Sequence, residues 1–315
     1  MHSPARTEPS TGPMPASKRT RVRRSAMFMD TTVTIEVAHR DEEPAALDAI
    51  ERAMRWFERV EATCSRFDPE SELRGLTAQA GVPVHVSALL IEPLAFALAL
   101  AEETNGAFDP TVGGRLEAAG FDRNYRTGAR AGAGLESTEG SYRDVEIDRA
   151  ASTVTLHRRL VLDLGAVAKG FAVDLAAREL ASFERVAVFA GGDVLVRAPA
   201  GEPYEIGIQH PRDPDALLAV LGLSEGAVCT SGDYQRTSAA GHHIVEPGTG
   251  QAVGGVVSTT VVAPTAMLAD GLSTAAFVLG VPAGLRLVEA NGGEGLLVTR
   301  DLERVMTSSF GRLAL

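Results

Sequence analysis

Residues 162–174 read LDLGAVAKGFAVD, in which a short apolar strand passes through a glycine turn into a helix. Asp163 ends the predicted strand and Gly165 occupies the turn. Lys169 lies on the first turns of the helix that the pattern predicts over 166–182. A helix N-terminus offers free amides and a positive dipole end to an anion, and a lysine there adds a charge for phosphate. The GxxxxGK spacing of a Walker loop is absent, so the segment alone fits either a phosphate contact or a structural turn.

Strands and helices flank this segment in an irregular order. Predicted helices cover 43–62, 87–104, 214–222, 266–278 and 281–291. Predicted strands cover 31–37, 144–148, 152–157, 160–162, 186–190, 204–209, 226–229, 242–245 and 255–262, with a closing hairpin at the C-terminal end. Hairpins mixed with separate helices are typical of an α+β protein with mixed, largely antiparallel sheets and packed helices, rather than of a doubly wound parallel sheet.

Length and composition allow one large domain or two small ones. The chain has 315 residues, of which 45% are hydrophobic, so it can bury a sizeable core and is not disordered as a whole. Residues 1–24 are rich in Pro, Ser, Thr and Arg and lack an apolar run, which predicts a disordered basic tail. Residues 25–315 then form the domain, since no Pro-rich linker divides them.

Charge narrows the class of ligand. The formal net charge is -11, and six basic residues against one acidic residue within 1–25 leave the remainder at -16. Such a surface argues against a nucleic-acid binder, which needs basic groups to neutralise phosphates. Any anion that the protein holds must be met by a few local groups, by backbone amides or by a bound cation.

Two cysteines, Cys64 and Cys229, cannot form a disulfide framework or a four-ligand zinc site, so we expect two buried thiols. No run approaches the roughly 18 apolar residues of a transmembrane segment. The apolar run that follows the basic segment is too short for a secretory signal, and no lipid-attachment cysteine lies near the start, so we expect a cytoplasmic protein.

A second informative segment is TAMLADGLSTAAFVLG, residues 265–280. Asp270 and Thr274 lie four residues apart on a predicted helix, which places a carboxylate and a hydroxyl on one face. Hard oxygen donors of this kind suit Mg²⁺ or Ca²⁺, although two are too few to form a site unaided. The competing interpretation is that Asp270 only solvates the polar side of an amphipathic helix.

Several short loops combine glycine with polar residues. TNGAFDPTVG (104–113) contains Asp109, and HHIVEPGTG (242–250) contains His243 on a predicted strand. AGGDV (190–194) and TSGDY (230–234) repeat a Gly-Asp pattern. Each is an ordinary turn when taken alone, and a single histidine on a strand is more often packed than catalytic.

The order of these segments is more specific than any one of them. The sequence resembles the ApbE family of FAD:protein FMN transferases, formerly called thiamine biosynthesis lipoproteins, from about Met29 to Gly280. The matching motifs are Met-x-Thr (29–31), SRFDPESEL (65–73), GAFDPTVG (106–113), DLGAVAKGFAVD (163–174), AGGD (190–193), TSGDY (230–234), HIVEPGTG (243–250) and ADGLSTAAFVLG (269–280).

The resemblance implies an ApbE-like fold and an enzyme that binds FAD and Mg²⁺, splits the FAD diphosphate, transfers FMN to a Thr or Ser hydroxyl of an acceptor protein and releases AMP. It implies that Asp270, Thr274 and the backbone carbonyl of Ala166 hold the metal, with Asp270 also counted as catalytic. His243 is a candidate for activating the acceptor hydroxyl or for steering the phosphates. The flavin contacts that it implies are Met29, Phe67, Ala107, Phe108, Asp109, Asp163 and Lys169.

The sequence departs from the family pattern in the expected flavin pocket. The usual Met-Gly-Thr is Met29-Asp30-Thr31, so a side chain and a negative charge replace a glycine. Thr77 replaces a common asparagine, and Glu246 replaces an aspartate. Two alternatives to FMN transfer stay open at this point: an FAD diphosphatase that uses water as the nucleophile, and a flavin-binding protein without turnover.

Overall fold

The computed structural model of the protein describes residues 19–40, 43–123, 128, 140–235, 237–238 and 241–315. Seven α-helices occur among these residues: α1 (Glu43–Cys64), α2 (Glu72–Thr77), α3 (Ala88–Glu103), α4 (Gly113–Ala118), α5 (Ala168–Glu179), α6 (Ala266–Leu279) and α7 (Ala283–Ala290). None of the helices in the described part of the chain combines the length and apolar character that crossing a membrane requires.

Fifteen strands accompany the helices in the described ranges. They are β1 (Thr20–Phe28), β2 (Thr31–His39), β3 (Pro83–His85), β4 (Val145–Asp148), β5 (Thr153–Leu156), β6 (Arg185–Ala190), β7 (Asp193–Arg197), β8 (Tyr204–His210), β9 (Asp213–Leu223), β10 (Glu225–Gly232), β11 (Thr237–Ser238), β12 (Gly241–His242), β13 (Val256–Ala263), β14 (Glu294–Thr299) and β15 (Arg304–Met306).

Eight strands form one large sheet in the order β1-β2-β6-β7-β10-β13-β14-β15. Every neighbouring pair in this sheet is antiparallel. The other strands of the described residues form a long hairpin, β8-β9, a short one, β11-β12, and the three-stranded sheet β3-β5-β4. The expected α+β class with largely antiparallel sheets is therefore confirmed.

Each face of the large sheet is covered by a different layer. Apolar residues of α1, α3, α5 and α6 pack with β2, β6 and β13 in the main core. A second core lies between the sheet and the β8-β9 hairpin, where Ile206, Ile208 and Leu221 are buried with Val196 and Val228. The strand β13, VVSTTVVA, is buried along its whole length because it lies between these two layers.

The structure contradicts several sequence predictions. The predicted strand 160–162 contains only an isolated bridge at Val161, and the predicted strand 242–245 is reduced to β12, so His243 lies just beyond a strand. Residues 20–24, which we assigned to the tail, belong to β1, where Thr20 pairs with His39 and Arg24 with Ile35. In that segment Val22 points into the core while the arginines stay exposed, and charged side chains are common on an edge strand because they discourage further pairing. Residues 1–18 of the predicted tail lie outside the described residues, as do residues 129–139.

The predicted helix over 214–222 is also wrong. This segment lies in β9, which pairs with β8 from Tyr204↔Leu223 to His210↔Asp213. Its run of Ala, Leu and Val carries a helical propensity, and the pairing with β8 together with burial against the second core outweighs that local preference.

Candidate functional site

A carboxylate from α5 anchors the N-terminus of α6. Asp174 Oδ1 accepts a hydrogen bond from the Ala266 amide at 2.7 Å, and its Oδ2 accepts one from the Met267 amide at 3.0 Å. The amides in the first turn of a helix have no acceptor within the helix, so an external carboxylate stabilises them. These two bonds fix the position of α6 against α5, and with it the side chains that face each other across the two helices.

Asp270 lies in the second turn of α6 and faces the start of α5. Its Oδ2 accepts a hydrogen bond from the Gly170 amide at 3.2 Å and lies 3.5 Å from Lys169 Nζ. Only 5% of Asp270 is exposed, so this residue does not solvate the polar side of the helix. The prediction that Asp270 and Thr274 lie on one helix is confirmed, since both belong to α6.

Lys169 joins Asp270 to a second buried carboxylate. Its ammonium forms an ion pair with Asp193, the first residue of β7 and only 1% exposed. Burial by itself would lower the pKa of Lys169, but attraction to Asp193 and Asp270 outweighs burial and raises this pKa. Burial, together with the negative charge of Asp193, raises the pKa of Asp270 well above its ordinary value. Two buried carboxylates thus share one ammonium, an arrangement that attracts a further cation.

Lysine is rare in this protein. Lys18 and Lys169 are the only lysines in the sequence, and the other basic side chains, apart from histidine, are arginines. A lysine ammonium is a compact point charge, whereas the planar guanidinium of arginine needs more room and binds carboxylates through a fork of donors. The position between Asp193 and Asp270 therefore suits a lysine for reasons of size and geometry.

Three hydroxyl groups lie next to Asp270. Ser231 Oγ, at the end of β10, is 2.7 Å from Ser273 Oγ and 3.2 Å from Thr274 Oγ1. Ser273 Oγ donates a hydrogen bond to the backbone carbonyl of Asp270 at 2.9 Å. The hydroxyls connect the large sheet to α6, one turn after Asp270.

The oxygen donors expected for a metal at Asp270 are of the kind that Mg²⁺ prefers. Among the described residues, no three His, Cys, Asp or Glu side chains are placed to enclose a metal. Mg²⁺ usually takes one or two carboxylates and completes its shell with waters and phosphate oxygens. The Asp270 carboxylate, the Thr274 hydroxyl and the backbone carbonyl of Ala166, in the turn before α5, are hard oxygen donors of this kind. The excess negative charge of the Asp193-Asp270 pair supplies the attraction that a divalent cation needs.

Asp163 is held by a buried arginine rather than left free. Its Oδ2 accepts a hydrogen bond from Arg66 Nε at 2.7 Å, and its Oδ1 accepts one from the Gly165 amide at 2.7 Å. Arg66 is 4% exposed and also donates to the Phe121 carbonyl at 3.0 Å. Asp163 therefore shapes the turn that leads into α5, and its charge is compensated within the protein.

The predicted residues Phe67 and His243 lie around the same arginine. The Arg66 guanidinium stacks 4.2 Å from the centre of the Phe67 ring. The His243 imidazole meets the Phe121 ring edge to face, with 6.3 Å between the ring centres. Phe121 therefore links the two residues, since its ring contacts His243 and its carbonyl accepts a hydrogen bond from Arg66, which also binds Asp163.

Asp109 organises its own loop. Its Oδ1 accepts hydrogen bonds from the Thr111 amide at 2.8 Å and the Thr111 hydroxyl at 2.7 Å, and its Oδ2 accepts one from the Tyr142 amide at 3.0 Å. The next residue, Pro110, accepts a bond from the Asp163 amide at 2.8 Å. The loop around Asp109 is therefore tied to the turn that contains Asp163.

Ala107 and Phe108 point to different surroundings. Phe108 is 6% exposed and belongs to the main core. Ala107 lines a cavity of about 540 Å³ between the end of α3, residues 246–254 and the end of α6, where Val278 and Leu279 contribute apolar walls.

The predicted Met29 contact lies in a tight turn. Met29 and Asp30 have φ values of 49° and 60° and join the paired residues Phe28 and Thr31. Two consecutive left-handed residues form the turn type that best fits a two-residue hairpin, and aspartate tolerates this conformation better than most residues. Asp30 thus takes a glycine-like backbone, with its buried Oδ1 left without a hydrogen-bond partner.

Sequence reasoning did not single out several residues that contact the predicted site residues. Asp193 and Ser231 stood in the AGGD and TSGDY motifs, and Arg66 stood in SRFDPESEL. Their roles follow from contacts between distant segments: Lys169 with Asp193 spans 24 residues, and Arg66 with Asp163 spans 97. The Gly-Asp pattern was the only signal for Asp193, and it is shared by ordinary turns.

The fold and the site together define a class of α+β protein in which a helical Asp-x-x-x-Thr pair meets a lysine at the start of a second helix. The model of the ApbE family matches residues 29–297. The chain therefore belongs to the ApbE family.

Curated relatives and solved structures agree with this assignment. The FAD:protein FMN transferase of Haemophilus influenzae is 31% identical over 276 residues, covering 79% of this chain and 78% of the relative. That of Treponema pallidum is 32% identical over 324 residues, covering 92% and 88%. The crystal structure of the ApbE protein from Thermotoga maritima matches with a TM-score of 0.84 and 31% identity over 94% of this chain and 100% of that one. The flavin transferase ApbE from Vibrio cholerae matches with a TM-score of 0.81 and 27% identity, covering 94% and 100%.

Proposed function

We propose that this protein is an FAD:protein FMN transferase that cleaves the FAD diphosphate, attaches FMN to a Thr or Ser hydroxyl of an acceptor protein and releases AMP. The observation that carries the proposal is the cluster of Asp270, Thr274 and Lys169 at the contact of α5 and α6. Membership of the ApbE family, whose curated relatives bear this activity in their names, supports it.

The cluster suits a charged diphosphate in an acidic protein. Asp270, Thr274 and the Ala166 carbonyl would hold Mg²⁺, which when bound neutralises phosphate charge and stabilises the leaving phosphate of AMP. Lys169 pairs with two carboxylates, and its side chain is 23% exposed, so we expect its positive charge to act on a phosphate group bound beside it. The positive groups that would neutralise the diphosphate are thus concentrated where the start of α5 meets α6. A protein with an overall negative charge needs such a local positive site to hold an anion.

The remaining predicted residues would bind and orient the flavin. Met29, Phe67, Ala107, Phe108, Asp109 and Asp163 stay predictions for this role. The buried bonds of Asp109 and Asp163 support a role in shaping the two loops rather than direct charge contact with FAD. His243 stays a candidate for taking the proton of the acceptor hydroxyl.

One incubation tests the reaction and separates its alternatives. Purified protein is incubated with FAD and Mg²⁺, with and without a pool of peptides centred on Thr or Ser, and AMP and peptide mass are followed. AMP release that depends on the peptides, together with a peptide carrying FMN, is the expected result. AMP without peptides would indicate an FAD diphosphatase, and FAD binding without AMP in either sample would indicate a binding protein. Either result would overturn the transfer reaction.

A cytoplasmic location stays a prediction, which fractionation of producing cells would test.

A further inference from the structure

We propose that Ser231 and Ser273 are positioning residues that turn the Thr274 hydroxyl so that its lone pairs face the cation site. The inference rests on the proposed function, because it concerns the metal that Asp270 and Thr274 would hold. It adds a residue of the large sheet, Ser231, to a site whose proposed metal ligands lie on α6 and in the turn before α5.

The direction of each hydrogen bond follows from the one acceptor that cannot donate. The Asp270 carbonyl oxygen can only accept a hydrogen bond, so Ser273 donates its single hydroxyl hydrogen to that oxygen, at an O–O distance of 2.9 Å. In the 2.7 Å contact between Ser231 and Ser273, Ser231 must therefore be the donor. Ser231 then has no hydrogen left, so in the 3.2 Å contact Thr274 Oγ1 donates to Ser231 Oγ.

This chain of donors sets the orientation of Thr274. Its hydroxyl hydrogen points towards β10, and the lone pairs of Oγ1 point away from Ser231. A hydroxyl that coordinates a cation must present a lone pair and keep its hydrogen out of the way. The structure thus holds Thr274 in the rotational state that a metal ligand requires before any metal arrives.

Burial makes the orientation durable. Ser231 is 8% exposed and Ser273 is 0% exposed, so water competes little for their hydrogens. Leaving a buried hydroxyl without a partner costs desolvation free energy, so the three hydrogen bonds are expected to persist together. This series of hydrogen bonds ends at the backbone carbonyl of Asp270. The positions of the three hydroxyls therefore depend on the position of Asp270.

Metal binding without substrate turnover tests the proposal. Mn²⁺ serves as the probe, and its dissociation constant is measured by electron paramagnetic resonance on the wild-type protein and on Ser231→Ala. We expect the Ser231→Ala variant to bind Mn²⁺ about tenfold more weakly, in line with the loss of a group that orients a ligand. Ser231→Thr, which keeps a hydroxyl, should restore most of the affinity. In turnover assays, the Mg²⁺ concentration for half-maximal rate should rise more than kcat falls.

A double-variant comparison distinguishes positioning from a general structural role. Ser231 acts through Thr274, so Ser231→Ala should add no further loss to the Thr274→Val variant. Thr34→Val is the matched control, since it removes the 2.8 Å hydroxyl pair of Ser25 and Thr34 between β1 and β2, outside the cluster, and should leave Mn²⁺ binding unchanged. If Ser231→Ala does not fold, Ser273→Ala replaces it, with the expected weakening in the same direction.

The outcomes separate this inference from the proposed function. Normal Mn²⁺ binding by the wild-type protein with an unchanged dissociation constant in Ser231→Ala would overturn the positioning role alone. An additional loss in the double variant would do the same, because it would show an effect independent of Thr274. Absence of Mn²⁺ binding by the wild-type protein, with and without FAD, would overturn the metal site and this inference together.

Discussion

Lys169 Nζ lies 3.5 Å from Asp270 Oδ2 while it also pairs with Asp193, so a single ammonium holds two buried carboxylates from different parts of the chain. Lys169 belongs to α5, Asp193 to β7 and Asp270 to α6. This contact joins the helical layer to the sheet at the candidate site.

Removing the ammonium should weaken both the fold and FAD binding. Lys169→Met leaves two buried carboxylates without their cation, and breaking a buried pair in this way costs about 3–5 kcal/mol. We expect a lower unfolding midpoint in urea and at least a tenfold weaker FAD affinity by flavin fluorescence. Arg52→Met is the control, because it breaks the largely exposed pair with Glu179, which is worth about 1 kcal/mol or less. Unaltered FAD affinity in Lys169→Met would remove this lysine from the pocket.

The Asp270 carboxylate should be indispensable for the metal-dependent reaction. Asp270→Ala removes the only carboxylate of the proposed metal site and should abolish Mg²⁺-dependent AMP release. AMP is measured by chromatography across a range of Mg²⁺ concentrations. Asp301→Ala, at an exposed turn between β14 and β15, should retain wild-type release. Wild-type release by the Asp270→Ala protein would show that the metal is held elsewhere.

The carboxylate of Asp174 should stabilise the N-terminus of α6. Asp174→Ala removes the acceptor for the Ala266 and Met267 amides, and loss of a helix cap costs about 1–2 kcal/mol. Asp174→Asn keeps one oxygen acceptor and should lose less. The free energy of unfolding in urea measures both variants, and equal stability of Asp174→Ala and the wild-type protein would contradict the role.

Local sequence patterns were sufficient to predict α6 and to place Asp270 and Thr274 on it. A helical period and a spacing of four residues can be recognised within one segment. Such patterns were also sufficient for the α+β class. Local patterns gave the wrong conformation for β9, because that segment is a strand through its pairing with β8. They were also wrong for residues 20–24, which form a strand through their pairing with β2. The pairing of Lys169 with Asp193 could not be predicted either, since it depends on how α5 lies on the sheet.

The two thiols should be unreactive in the folded protein. Burial raises the pKa of the Cys64 thiol to about 12, with a smaller contribution from Glu72, and burial also raises the pKa of Cys229. Thiolate is the reactive form, so at pH 8 neither cysteine should react quickly with Ellman's reagent. Two thiols should appear after unfolding in guanidinium. Rapid labelling of the native protein would show that one of these sites opens to solvent.

A pair of glycine substitutions should show how closely α5 and α6 must approach. A Cβ atom on Gly170 would lie 2.4 Å from the Ala266 carbonyl oxygen, a contact that only a shift of one helix can relieve. We expect Gly170→Ala to lower the free energy of unfolding by about 1–3 kcal/mol and to weaken Mn²⁺ binding, because the shift would move Asp270 relative to Lys169. Gly75→Ala in α2 meets no atom within 4 Å and should stabilise the protein by about 0.5–1 kcal/mol through helix propensity. Urea denaturation of both variants measures the difference, and a Gly170→Ala protein as stable as Gly75→Ala would show that the helices tolerate a wider separation.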